Sequence, residues 1–222
     1  MVEKVKRAYD STSRTRQAQE NRDRISRAAH DLFVERGYGN TTVADVAKAA
    51  EVSPEMIFKS FGSKGGLLRS AWFVMFRGDG EDETMYDRPE TRAVLDLPDL
   101  ADRIAGFARL LTERNRRSAP LLGAIEGAAA TEPGAREMLT TWHERLIDVA
   151  TKFAQAAAET GQLAVAEDEC RDIMYATLDG HLWRRLVVDR GWTDERYAEW
   201  LEGVWRAEFL EGRHHSAARD DT

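Results

Sequence analysis

The sequence predicts an all-α chain built as a small three-helix N-terminal domain followed by a larger helical body, about nine helices in all. Three observations predict it. Apolar residues recur at three- and four-residue spacing along most of the chain, strict apolar/polar alternation is scarce, and helix start and stop residues fall between the periodic runs.

In the first helix Ile25, Ala28, Ala29, Leu32 and Phe33 form an amphipathic stripe, and Gly37 and Gly39 of "RGYGN" supply its stop. Thr41 or Thr42 can cap the second helix, whose apolar face is Val43, Val46, Ala47 and Ala50, and Glu51-Val52 makes a tight break after it. Ser53 followed by Pro54 is a paired start signal for a short third helix, with Ile57 and Phe61 four apart on one face. "GSK" closes that helix. A fourth starts near Ser63 and carries Leu67, Leu68, Ala71, Trp72, Met75 and Phe76 as its stripe.

Residues 78–99 are acidic and turn-rich and read as a connection, partly helical near Thr91–Leu95. The helical pattern resumes with Leu100, Ile104, Phe107 and Leu111, and a further segment holds Pro120, Leu121, Leu122 and Ile125. "TEPGAR" opens a long helix through Met138, Trp142, Leu146, Val149 and Phe153. After "ETGQL" one helix carries Ile173, Met174, Leu178, Leu182 and Leu186, and Thr193 caps another through Tyr197, Trp200, Leu201, Val204 and Trp205. The expected organisation is a flexible basic arm at 1–18, the N-terminal domain at 19–65, the body at 66–211 and a disordered tail at 212–222.

Composition narrows the function classes. A hydrophobic fraction of 42% is ample for a packed core. The single cysteine, Cys170, excludes an internal disulfide framework, and no apolar run of 18 residues or polar-to-apolar leader is present, so a soluble cytoplasmic protein with no membrane partner is expected. His143 and His181 lack metal-ligand spacing, and "GDGEDE" and "FGSKGG" miss the phosphate-loop pattern. No enzyme, metal or cofactor is therefore expected.

The net charge of −7 is unevenly spread. Residues 1–70 hold 13 Lys and Arg against 9 Asp and Glu, whereas the remainder holds 19 against 30. That asymmetry permits nucleic-acid binding by the first third alone. Two short helices joined by a tight turn form a helix-turn-helix, whose second helix can enter the major groove.

Residues 24–68, with "AAHDLFVERGY", then "TTVADVAKAAEVS", then "IFKSFGSKGGLL", resemble the N-terminal domain of TetR-family transcription regulators. "GHLWRRLVVDRGWTDERYAEWLEGVWRAEFL" is similar to part of the family's ligand-binding and dimerisation domain. The resemblance implies a ligand-responsive regulator, by default a repressor, that binds a palindromic operator in double-stranded DNA as a homodimer and is released by a small, apolar effector. The alternative is a helical ligand-sensing or partner-binding dimer that has lost specific DNA binding. Two positions depart from the family pattern: Glu51 stands where glycine is usual, and Phe58 where a tyrosine usually bonds a phosphate.

The expected DNA-binding residues are Thr42, Lys59, Ser60 and Lys64 on phosphates and Ser53, Pro54, Glu55 and Met56 on base edges, with Phe58 beside them. Lys4, Lys6, Arg7, Arg14, Arg16, Arg22 and Arg24 could form an arm along phosphates or in the minor groove. An effector pocket is expected among Trp72, Phe76, Phe107, Trp142, His143, Met174, Tyr175 and Leu178. The resemblance assigns the dimer contact to the last two helices, through Leu182, Trp183, Leu186, Trp200, Leu201, Val204 and Trp205.

Overall fold

The computed structural model describes residues 11–77 and 88–211, and among them the only regular elements are helices. In chain order these are α1 (Ser11–Arg36), α2 (Val43–Ala49), α3 (Pro54–Phe61), α4 (Lys64–Arg77), α5 (Pro89–Leu95), α6 (Leu100–Ala129), α7 (Pro133–Glu159), α8 (Glu167–Thr177), α9 (His181–Trp183) and α10 (Asp194–Arg206). A π-helical turn, Arg184–Asp189, continues α9, and another, Ala207–Glu211, continues α10.

Ten described helices replace the expected nine or so, for local reasons. The Ile173–Leu186 run splits because Gly180 takes a left-handed φ of 83°, a conformation open to glycine, between α8 and α9. Conversely, the Leu100–Leu111 run and the Pro120–Ile125 segment fuse into the 30-residue α6. Pro120 removes one backbone donor from that helix, but Ala119, Leu121, Leu122 and Ile125 around it are buried and hold the helix together. Residues 11–18 form the first turns of α1, which corrects the expectation of a flexible arm there. Residues 1–10, the tail from 212 and the connection at 78–87 lie outside the described residues.

In the N-terminal head, Ile25, Ala29, Leu32 and Phe33 of α1 meet Val46 and Ala47 of α2 and Ile57 and Phe61 of α3 in a buried core. Leu67, Leu68 and Ala71 of α4 are also fully buried, and α4 packs on α1. Each such leucine contributes about 1.5–3 kcal/mol relative to an exposed position. Ser26 and Ser70 share a 2.9 Å hydroxyl contact that adds a polar tie between α1 and α4. The expected domain boundary at residue 65 thus falls inside the first turn of α4, a helix whose apolar face completes the head.

In the body, α6 packs against α4, α5, α7 and α10, and α7 packs against α8. Its centre is aromatic. Phe107 lies 4.9 Å from Phe153 and 6.1 Å from Trp205, and Phe153 lies 6.4 Å from Phe209. The polar edges of two buried indoles are satisfied, Trp205 donating to Thr177 at 3.0 Å and Trp183 to Asp194 at 2.7 Å.

The α3–α4 junction requires a glycine at residue 66, where an added Cβ would sit on the carbonyl oxygen of Phe61. Gly66→Ala is expected to destabilise the protein by about 1–3 kcal/mol through that overlap. Gly127→Ala, at an exposed position of α6 where nothing lies within 4 Å of the new methyl, is expected to stabilise by about 0.5–1 kcal/mol. Urea unfolding of the two variants beside the parent measures both signs.

Candidate nucleic-acid interface and effector cleft

The second helix of the head begins at a capping box. The Thr42 hydroxyl accepts from the Asp45 backbone N–H at 3.1 Å, and the Asp45 carboxylate accepts from the Thr42 N–H at 2.8 Å. The Thr42 hydroxyl also donates to that carboxylate at 2.6 Å. Those hydrogen bonds hold the Asp45 carboxyl below its usual range. The Thr42 hydroxyl thus serves its own cap, and the side chain remains exposed at the start of α2.

The turn from α2 to α3 is a Schellman closure. The Val52 N–H donates to the Ala47 carbonyl at 2.9 Å and the Glu51 N–H to the Lys48 carbonyl at 3.3 Å. Such a closure needs a left-handed residue, and Glu51 supplies it at φ 52°, the only positive-φ residue other than glycine among the described residues. The departure from glycine read in the sequence thus coincides with the one strained non-glycine backbone position described.

Ser53 then caps α3, its hydroxyl accepting from the Met56 N–H at 3.3 Å, with Pro54 in the first turn. Ile57 and Phe61 are buried and fix the helix to the head. This leaves Ser53, Pro54, Glu55, Met56, Phe58 and Lys59 exposed on α3, with Ser60 half-buried. Phe58 is 52% exposed and Met56 43%, so both apolar side chains face solvent rather than core. Glu55 is exposed in the first turn of α3, and hydrogen bonds from its own backbone N–H and from Ser53 hold its carboxyl low.

Two cations expected at the interface make contacts within the head. Arg22 donates to the Ser60 carbonyl at 2.6 Å and its guanidinium lies 4.5 Å over the Phe61 ring, so it pins α1 to α3 and is no part of a free arm. The Lys64 ammonium sits 4.1 Å over the Tyr38 ring. Burial pulls its pKa down, partly offset by Glu132 in the α6–α7 connection. Lys59 remains the exposed cation of α3. Sequence reasoning missed the Arg22 contact because its partner lies 38 residues away.

The expected pocket residues divide. Trp72 of α4 and Trp142 of α7 meet edge-to-face at 5.1 Å and line a cleft of about 110 Å³ together with Arg69, Phe73, Gly134, Glu137, Met138, Thr141 and Arg145. Phe107, Met174 and Leu178 are buried in the body core, and His143 and Tyr175 are exposed, so these five do not line that cleft. The Phe76 side chain lies outside the described residues. His181 is held between Asp179 and Glu126, at 2.7 and 2.5 Å. The cleft's arginines were missed because an arginine on an amphipathic helix reads as a solvated one.

On the expected dimer face, Trp183, Leu201 and Trp205 are buried within the protomer, so they are corrected to core residues. Leu182, Leu186, Trp200 and Val204 are only partly buried, and Val188, which the sequence pattern did not single out, is 58% exposed. No described helix is long and apolar enough to cross a membrane.

Together the described helices and the α2–turn–α3 geometry define an all-helical fold that carries a helix-turn-helix. Residues 25–71 match the family model described as bacterial regulatory proteins, tetR family. The HTH-type transcriptional regulator TcmR of Streptomyces glaucescens is 43% identical over 51 residues, a match covering 23% of this chain and 23% of TcmR. Over the whole chain the likeness is one of fold. The fatty acid degradation regulator FadR from Bacillus halodurans aligns with a TM-score of 0.64 at 17% identity, over 87% of this chain and 96% of that one. A transcriptional regulator from Saccharomonospora viridis in complex with choline aligns with a TM-score of 0.64 at 20% identity, over 86% and 98%. Residues 25–71, on α1–α4, are thus similar to the tetR family's N-terminal domain, and the chain as a whole shares the fold of these regulators.

Since the left-handed strain sits on one residue, Glu51→Gly is expected to raise stability by about 1 kcal/mol. Thermal or urea unfolding reads the gain, and a loss would show that the Glu51 side chain makes a compensating contact.

Proposed function

We propose that the protein is a ligand-responsive transcriptional repressor in the cytoplasm that binds a palindromic operator as a homodimer and releases it on binding a small effector. The observation that supports this most directly is the outward face of α3. Its buried Ile57 and Phe61 fix the helix, while Pro54, Met56, Phe58 and Lys59 stand free to meet a groove. Met56, Pro54 and Phe58 suit the thymine methyl group, and Lys59 suits a backbone phosphate.

Dimerisation follows from the geometry of the target. Two reading helices engage successive major grooves about 34–36 Å apart, which one copy of the chain cannot do. The partly open apolar residues Leu182, Leu186, Trp200 and Val204 and the exposed Val188 support α9 and α10 as the shared face. Release by a small molecule is supported by the cleft between α4 and α7, since α4 packs on both the head and the body. The choline complex of the Saccharomonospora viridis relative shows that a protein of this fold can hold a small molecule.

Selection of bound duplexes from a random pool tests the reading with no operator sequence assumed. A recovered inverted repeat is the expected result. Binding no tighter than to random duplex favours a ligand-sensing dimer without specific DNA recognition. On the recovered operator, Phe58→Tyr is expected to tighten binding by about 0.5–1.5 kcal/mol through one added phosphate hydrogen bond. Lys59→Gln is expected to weaken binding on all sequences and flatten the log affinity against log salt slope by about 0.9. Gel shifts across a salt series measure both.

A further inference from the structure

The cleft between α4 and α7 has walls of unusual composition for a purely apolar pocket. Its floor is Trp72, Met138 and Trp142, the two indoles meeting edge-to-face at 5.1 Å and 79°. Phe73 forms a side wall, and the Arg145 guanidinium lies 4.6 Å over its ring. Arg69 enters from α4 and Arg145 from α7, so each helix brings one guanidinium to the lining. One carboxylate, Glu137, also lines the cleft, leaving an excess of one positive charge.

The dimensions limit the occupant to about one ring. The volume is about 110 Å³, somewhat below the roughly 150 Å³ of an engineered apolar cavity that holds benzene. The chemistry limits it further. Aromatic walls alone would suit a quaternary ammonium, but two guanidiniums against one carboxylate repel a cation. A planar carboxylate meets a guanidinium through paired N–H donors, and its ring can lie on the indole floor.

We propose that the α4–α7 cleft is the effector site for a single-ring aromatic carboxylate, its ring on Trp72 and Trp142 and its carboxylate between Arg69 and Arg145. The proposal rests on the ligand-responsive reading for its consequence, though not for binding itself. An anion shared by Arg69 and Arg145 ties α4 to α7. Along the same pair of helices Gly65 and Gly134 are in backbone contact, so that a Cβ built on either lies 3.8 Å from the other's Cα. Gly65 sits one residue from Lys64 and next to Gly66, the glycine that lets α4 start against Phe61 of α3. A change in α4–α7 spacing at the cleft therefore reaches the start of α4 and, through Phe61, the reading helix.

Calorimetric titration of the full chain with sodium benzoate, benzyl alcohol and benzyltrimethylammonium tests the assignment. The expected result is benzoate binding at least ten-fold tighter than benzyl alcohol, with the cation weakest. The exposed pair Arg69→Gln/Arg145→Gln is expected to lower benzoate affinity at least ten-fold while leaving benzyl alcohol affinity and thermal unfolding nearly unchanged. Absence of benzoate binding at millimolar concentration, preference for the cation, or benzoate binding indifferent to the double substitution would each overturn the assignment. Benzoate is further expected to release the selected operator from the parent and not from the double variant, and retention of DNA by the benzoate-saturated parent would overturn the effector role. Failure to recover any operator speaks against the repressor reading, while the calorimetry still decides the site.

Discussion

Helix α4 belongs to two packing arrangements at once. Leu67, Leu68 and Ala71 complete the core made by α1, α2 and α3, while Trp72 lies against Trp142 of α7. Its start is fixed with little freedom, because Gly66 allows the Phe61 carbonyl to approach more closely than any side chain would permit. Ser63 caps it, the hydroxyl accepting from the Gly66 N–H at 3.0 Å. Close-packed interiors transmit displacement instead of absorbing it. On the proposed reading, a shift of α4 relative to α7 is met by the head as a unit, and the orientation of α3 follows from where α4 rests.

The head commits its polar groups to its own architecture. The hydroxyls of Thr42 and Ser53 cap α2 and α3, the Asp45 carboxylate closes the first of those caps, and Arg22 and Lys64 lie over aromatic rings. What remains for a partner is an apolar ridge, Met56 and Phe58, with Lys59 beside it. Such a surface offers shape and methyl contacts more than charge. On the proposed reading, discrimination would rest on thymine methyl groups and groove fit more than on bidentate hydrogen bonds to guanine.

Much of this was legible in the sequence because it is local. The Ser53-Pro54 start, the break at Glu51-Val52, the buried pair Ile57 and Phe61 and the stripe of α4 as far as Trp72 follow from periodicity and capping, and all stand in the structure. What escaped depends on distant partners. Nothing near Trp205 or Leu201 in sequence says that they face Phe107 and the body core and not a second subunit. The same limit hid Arg69 and Arg145, whose common cleft exists only because α4 and α7, some 70 residues apart, lie side by side. At Thr42 the added contact is local: the first turn of α2 supplies Asp45, whose carboxylate takes both of its donors.

A lightly charged reading face has a consequence for regulation. Coupling between an effector site and a second site is typically worth about 1–3 kcal/mol, or about 5–150-fold in affinity. Each phosphate contact adds both affinity and salt sensitivity, so a head rich in cations would hold DNA too firmly for so small a coupling to empty it. Here the first 70 residues carry a surplus of only four positive charges, and the rest of the chain carries eleven more acidic than basic residues. An acidic body adds repulsion for DNA that approaches anywhere but the head. On the proposed reading, affinity is left close to the level at which a modest change in α4–α7 spacing decides between bound and free. The same acidic body discourages anions in general, which makes a built pair of guanidiniums at the cleft the local exception that an anionic effector would need.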